Sequence, residues 1–241
     1  MSKSFLFELC AESLEAARAA QAGGADRMEL CEQLSIAGVT PSAELLRSVL
    51  DAVSIPVHVL IRPRGGDFVY SEMEFSLMRR QVEQAKAAGA SGVAIGVLLR
   101  DGRVDVFRTF ELAQLARPMK VTFHRAFDEA DDLDEALEDV IRSRVDCLLT
   151  SGGRANVLAG AEQIGRLQRQ AGNRLEVMAG GGLKLANLAE VVRRSGVTCL
   201  HGSLSRARGI GEQLSGHASQ IEEDLREAIR LLQQECLEPA R

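Results

Sequence analysis

The sequence predicts an α/β protein, a single-domain TIM (β/α)8 barrel spanning residues 1–241. Three observations carry that expectation. Short apolar runs alternate with stretches of three-to-four helical spacing, and eight such units fit a chain of 241 residues. The junctions "AGGADRMEL", "AAGASGVAI", "RSRVDCLL" and "RSGVTCLH" recur at intervals of roughly 50–65 residues, about two βα units each. An open doubly wound sheet is the alternative, but the GxGxxG turn that would favour it does not follow the first strand.

In chain order the expected strands are "FLFELC" (5–10), "DRMELC" (26–31), "PVHVLIRPR" (56–64) and "GVAIGVL" (92–98). Then come "KVTFHRAF" (120–127), "VDCLLTSGG" (145–153), "LEVMAGGG" (175–182) and "TCLHGS" (198–203). Strands three and five are entered through Pro56 and Pro118. Between them, "SLEAARAAQAGG", "PSAELLRSVLDAV" and "LANLAEVVRRSG" have helical periodicity. Ser13, Thr40-Pro41-Ser42 and Ser71 supply helix-start signals. A closing amphipathic helix over about 217–237 places Ile221, Leu225, Ile229 and Leu232 along one stripe.

The totals narrow the function. Hydrophobic content of 46% with 22 Gly suits a globular α/β chain. A net charge of −5, few aromatics and no Trp argue against nucleic acid or an anionic membrane surface as partner. There is no apolar run of membrane-spanning length and no signal-peptide pattern. Five Cys (10, 31, 147, 199, 236) without a CxxC pair point to a reducing cytoplasm rather than a disulfide framework.

Strand parity locates a site. Each strand presents one face to the helices and the other to the barrel interior. The apolar sets Phe5–Phe7–Leu9, Met28–Leu30, Val57–Val59–Ile61 and Val93–Ile95–Val97 belong against the helices. Glu8, Glu29, Arg62, Arg64 and His124 then face inward and concentrate towards the C-terminal strand ends, where barrel enzymes hold their chemistry. Arg125 falls on the helix-facing parity unless the strand stops before it. His58, near a strand start, reads as core. Strand eight is ambiguous because His201 shares parity with Cys199, and Cys147 and Cys199 read as helix-facing.

Three chemistries follow from these residue types. Glu8, Glu29, His124 and Asp128 are candidates for proton transfer. Arg62 and Arg64 beside a Gly pair suit a small phosphate or carboxylate ligand. The turns carrying Ser151, Gly152, Gly153, Gly180 and Gly181 could cradle the same anion, with His201 and Ser203 at the last strand tip. Cys10 and Cys31 end neighbouring strands about 4.8 Å apart, which suits two soft thiolates on Cu(I). Each has a plainer alternative: a buried ion-pair network, tight βα turns, a core histidine, or cysteines serving as small hydrophobes.

The motifs "FELCAES" (7–13), "GGADRMELC" (23–31), "IRPRGGDFVYS" (61–71), "VTFHRAFD" (121–128), "LTSGG" (149–153), "AGGG" (179–182) and "HGS" (201–203) resemble the CutC family of copper homeostasis proteins. The resemblance implies a cytoplasmic TIM barrel linked to intracellular copper handling and Cu(I) binding. It also implies a homo-oligomer, dimer or tetramer. By motif position the family's cysteine after the second strand corresponds to Cys31, with Cys10 in the first-strand motif. Two stretches depart from the pattern. "SIAGVTPS" carries Ile36 and Ala37 where the family has an acid and a Gly pair, and "LSRARGIG" displaces a basic residue towards Arg206.

Overall fold

The computed structural model describes residues 5–204 and 214–237. The strands are β1 Leu6–Ala11, β2 Arg27–Leu30, β3 Val57–Leu60, β4 Gly92–Ile95, β5 Lys120–Phe123, β6 Cys147–Thr150, β7 Glu176–Ala179 and β8 Cys199–Gly202. All pair in parallel and in sequence order, and β8 returns to β1 through Glu8↔His201, closing a barrel. Around it lie α1 Leu14–Gly23, α2 Ala43–Ala52, α3 Glu72–Ala88, α4 Val106–Ala116, α5 Leu133–Arg142, α6 Ala161–Ala171, α7 Leu185–Ser195 and α8 Leu214–Leu237. No helix among the described residues is long and apolar enough to cross a membrane.

The helix starts follow side-chain chemistry. The hydroxyls of Ser13, Ser42 and Ser71 accept from the N–H groups of Ala16, Leu45 and Glu74. Glu74 returns the favour by accepting from Ser71 N–H, a reciprocal cap that satisfies two otherwise orphaned donors. On α8, Ile221, Leu225, Ala228 and Leu232 are buried. Leu225 packs so close to Gly23 of α1 that a β-carbon there would lie 2.9 Å from its Cδ2.

Every strand forms where expected; β1 runs one residue past its expected run, to Ala11, and the other seven stop earlier than theirs. β5 ends at Phe123, and the chain turns into a 3-10 helix, Arg125–Glu129, capped by His124. That early stop releases Arg125 from strand parity.

The helix-facing residues Phe7, Leu9, Met28, Leu30, Ile61, Ile95, Phe123, Leu148 and Leu200 belong to one continuous core. Two smaller clusters stand apart from it inside the barrel. One holds Cys10, Cys31, Leu60 and Ala94; the other holds Cys147, Leu149, Met178 and Cys199. Cys147 and Cys199 therefore face the interior, not the helices. Leu200 is the helix-facing residue of β8, so Cys199 and His201 share the inward face.

β4 and the residue that follows it contribute almost no bulk to the interior, through Gly92, Ala94 and then Gly96. A β-carbon on Gly92 would lie 2.5 Å from the His58 ring, and one on Gly96 would lie 2.3 Å from Cε1 of His124. The two imidazoles fill space that β4 vacates, which is the close approach that glycine in a strand allows.

Candidate functional site

A cavity of roughly 630 Å³ opens at the C-terminal ends of the strands. Of the residues proposed from sequence, Cys10, Glu29, Arg62, His124, Asp128, Gly153, Gly181, His201 and Ser203 line it. Glu8 and Cys31 are buried and are not among its lining residues, and neither are Arg64, Ser151, Gly152 and Gly180.

Four donors meet at the floor. Cys10 Sγ lies 3.6 Å from Cys31 Sγ and 3.6 Å from Oε1 of Glu29, to which it donates. One ligand atom each from Cys10, Glu29 and His201 falls within 4.8 Å of the others, and all three side chains are buried. The hydrogen bond with Cys31, together with burial, pushes the Cys10 thiol well up. Burial likewise raises the Glu29 carboxyl. Both shifts favour the protonated forms of Cys10 and Glu29, so a cation bound there would compete with protons.

Beneath it, Glu8 anchors the imidazole. Its Oε1 lies 2.8 Å from Nδ1 of His201, while its second oxygen accepts from Nε of Arg27 and lies 3.7 Å from Nδ1 of His58. Burial opposes a charge on Glu8, but the His201 hydrogen bond and the Arg27 charge outweigh it and hold the carboxyl at about 2. Burial also opposes a charged His201, yet the bond to Glu8 and the nearby carboxylates raise its pKa above the usual value. With Nδ1 bonded to Glu8, Nε2 is the nitrogen left for the Cys10–Glu29 cluster. A carboxylate behind an imidazole in this way orients and strengthens a metal ligand.

His124 and Asp128, both candidates for proton transfer from sequence, are engaged with different partners. Nδ1 of His124 accepts from Ala126 N–H at 3.1 Å, which places the ring proton on Nε2. That Nε2 is buried with no hydrogen-bond partner among the described residues. Burial, then the charges of Arg62 and Arg125, lower the ring to about 3, so it is neutral at physiological pH. His124 is thus built as a hydrogen-bond donor rather than a base.

Asp128 is engaged on the other side. Its carboxylate accepts from Ser151 N–H and Oγ, Gly153 N–H, Thr150 Oγ1 and, at 2.9 Å, Arg125 Nε. The Ser151–Gly153 turn after β6 is an anion cradle, as its composition suggests. Its occupant is the chain's own carboxylate.

The arginine expectation divides. Arg62 reaches the cavity, but its guanidinium donates to the carbonyls of Ile36, Gly38 and Gly66 and stacks on Phe68 at 4.9 Å. It ties together the loops after β2 and β3. Arg64 turns away and holds Glu74, Asp67 and the Val69 carbonyl, so it does not serve an anion clamp in this cavity. Among the described residues, the arginines and lysines that line the cavity are Arg62, Arg125, Arg154 and Lys184. Arg206 lies outside the described residues.

Sequence reasoning overlooked Arg27, although it shares parity with Glu29 and so had to face inward. Arg154 and Lys184 lie in loops with no periodicity to orient them. For Arg125 the signal was conditional on where β5 stops, and β5 stops two residues before it.

A closed eight-stranded parallel barrel with a thiol, carboxylate and imidazole cluster under its C-terminal mouth is a (β/α)8 protein with a soft-metal-capable site. The CutC family model matches residues 5–206. A CutC family protein of Chromobacterium violaceum is 48% identical over 204 residues, covering 85% of this chain and 81% of that one. The human copper homeostasis protein cutC homolog is 44% identical over 210 residues, 87% of this chain and 77% of its own length. The crystal structure of CutC from Streptococcus agalactiae superimposes with a TM-score of 0.78 at 27% identity, covering 83% of this chain and all of that one. The chain belongs to the CutC family.

Proposed function

We propose that this protein takes part in copper homeostasis by binding Cu(I) directly in the buried cluster at the cavity floor. The observation that carries the reading is the meeting of Cys10, Glu29 and His201 within 4.8 Å, with Cys31 Sγ 3.6 Å from Cys10. Two sulfurs and an imidazole suit a soft monovalent ion better than Mg²⁺ or Ca²⁺, which want oxygen ligands. His201, fixed by Glu8, supports the same choice. The names of the human and mouse relatives agree with a copper role. A reducing cytoplasm is the compartment in which Cys10 and Cys31 stay as thiols. The test is anaerobic titration with Cu(I) against a colorimetric Cu(I) chelator. Cys10→Ser/Cys31→Ser should lose one tightly held equivalent; unchanged stoichiometry and affinity would remove these thiols as the site.

A second reading draws on a separate observation. His124 presents a buried, unpartnered Nε2–H in a cavity that also carries Arg125, Arg154 and Lys184. That combination suits a small carboxylate or phosphate ligand above the metal cluster, with Glu29 as the group able to move a proton. Calorimetry with inorganic phosphate and with acetate tests it, and Arg125→Met should abolish whichever heat is seen. Self-association into a dimer or tetramer is part of the same proposal. Met73 at 83% exposure on α3 and Phe107 at 77% on α4 are the apolar side chains a partner copy would cover. Light scattering of Phe107→Ser should then report a smaller particle than the parent.

A further inference from the structure

The interior carries a second sulfur cluster, at the opposite end of the barrel from the mouth. Cys147 begins β6, Cys199 begins β8, and β7 between them supplies Glu176 and Met178. The strand register pairs Cys147 with Glu176 and Met178 with Cys199. Parity turns both cysteines and Met178 inward, where each is at least 97% buried. One ligand atom each from Cys147, Glu176 and Cys199 lies within 4.8 Å of the others. Glu176 is exposed, and with Cys199 it lines a separate cavity of roughly 380 Å³ on this end of the molecule. Solvent and ions therefore have a way to the cluster that does not pass through the upper site.

The chemistry is that of a soft ion. Two thiols and a neighbouring thioether are soft donors, and the carboxylate stands at the opening where an incoming cation would first meet charge. The groups facing the sulfurs supply compensation. Nη2 of Arg27 lies 3.4 Å from Sδ of Met178, and its charge acts on both cysteines. Glu176 is the acid acting on Cys199. A purely structural role would be met by any small apolar residue, whereas two thiols, a thioether and a carboxylate meet here beside Arg27, whose own charge is already paired with Glu8.

We propose that Cys147 and Cys199 form a second Cu(I) site at the N-terminal end of the barrel, with Glu176 at its opening and Arg27 as its internal counter-charge. Binding exchanges protons for metal. Cu⁺ and two thiols give a dithiolate complex of net charge −1 and release two protons to solvent, with no change of oxidation state. Met178 Sδ is positioned to add a neutral third donor. The two sites are joined through the barrel axis by Met178, Arg27, Glu8 and His201, each touching the next. This inference stands whether or not the upper cluster binds copper.

The experiment is anaerobic Cu(I) titration of the reduced full chain against a colorimetric chelator, for the parent and two double variants. The parent should hold two equivalents. Cys147→Ser/Cys199→Ser should hold one, and Cys10→Ser/Cys31→Ser should hold one at the lower site. X-ray absorption on the latter should show a sulfur-only or sulfur-dominated copper shell. A parent holding one equivalent that only Cys147→Ser/Cys199→Ser loses would support the lower site and sink the upper one. Cys147→Ser/Cys199→Ser with the stoichiometry of the parent overturns the lower site. If the serines prevent folding, Cys147→Ala/Cys199→Ala takes their place, and a copper shell of only nitrogen and oxygen in Cys10→Ser/Cys31→Ser overturns the proposal independently.

Discussion

Nδ1 of His201 lies 2.8 Å from Oε1 of Glu8, and the pair is fixed by β1 and β8 lying side by side with Glu8 opposite His201 in the register. The carboxylate is therefore not a proton carrier in the mouth but the residue that orients the imidazole beneath it. Replacing Glu8 by Gln keeps the shape and removes the charge. Loss of a carboxylate behind a metal-binding histidine costs about 10–100-fold in affinity. We expect Glu8→Gln to weaken Cu(I) binding in that range while leaving the number of sites unchanged. Because Arg27 is left buried without its counter-charge, the variant should also lose about 3 kcal/mol of stability. A Glu8→Gln protein with parental copper affinity would show that His201 is not a ligand.

The two imidazoles over β4 set an acid limit on the fold. Burial lowers His58 to about 4 and His124 to about 3, against 6.5 for the unfolded side chains. A base whose folded pKa is depressed contributes stability above its unfolded pKa and loses it as pH falls towards the folded value. His201, raised, behaves oppositely: its contribution is complete below 6.5 and is lost as pH rises through its folded pKa, so it adds no slope on the acid side. Between pH 6.5 and 4.5 each of the two depressed rings should therefore cost about 2–3 kcal/mol. Urea midpoints measured across that interval check it. His58→Asn should flatten the pH dependence by about one proton, and an unaltered slope would mean His58 charges in the folded state.

The fold was legible because its signals are local: capping serines, helical spacing and apolar runs of strand length. Much of the mouth was legible too, since parity alone turned Glu8, Glu29, Arg62 and His124 inward. Parity fails where the strand stops. β3 ends at Leu60, and Arg64, four residues on, points where Glu74 and Asp67 hold it. β5 ends at Phe123, so Arg125 swings into the cavity although its parity says otherwise. Cys147 and Cys199 were misplaced for another reason. In "CLL" of β6 both faces are apolar, so no contrast marks the interior, and only neighbouring strands decide it.

The departure at Ile36 and Ala37 has a conformational cost. Ala37 sits at φ 66°, in the left-handed region, directly before Gly38 at φ 82°. A β-carbon there costs roughly 1–2 kcal/mol, and glycine avoids it at an unfolded-state penalty of about 0.5–1 kcal/mol. Ala37→Gly should raise stability by about 0.5–1 kcal/mol. The carbonyls of Ile36 and Gly38 on either side both accept from Arg62, so the loop keeps its anchor. Thermal unfolding of the single variant decides the matter, and a lower midpoint would show that the loop tolerates Ala37 without strain.

Asp128 offers the most direct check on how the mouth is built. Its carboxylate gathers two backbone N–H groups, two hydroxyls and Arg125 into one turn, so the cradle after β6 is preassembled around an internal anion. Asp128→Ala empties the cradle. Hydrogen bonds to a charged group contribute about 1.5–3 kcal/mol each, and water entering the vacated space recovers part of that in this buried turn, so a net loss of about 3 kcal/mol is expected. The amides of Ser151 and Gly153 should exchange with solvent faster, while those of β1 and β2 keep their protection. Because the donors remain in place, added formate should occupy the vacancy and restore stability in a concentration-dependent way that chloride does not match. Parental exchange rates at Ser151 and Gly153 without formate would mean the turn holds its shape unaided, and Asp128 would then lose its place as organiser of the mouth.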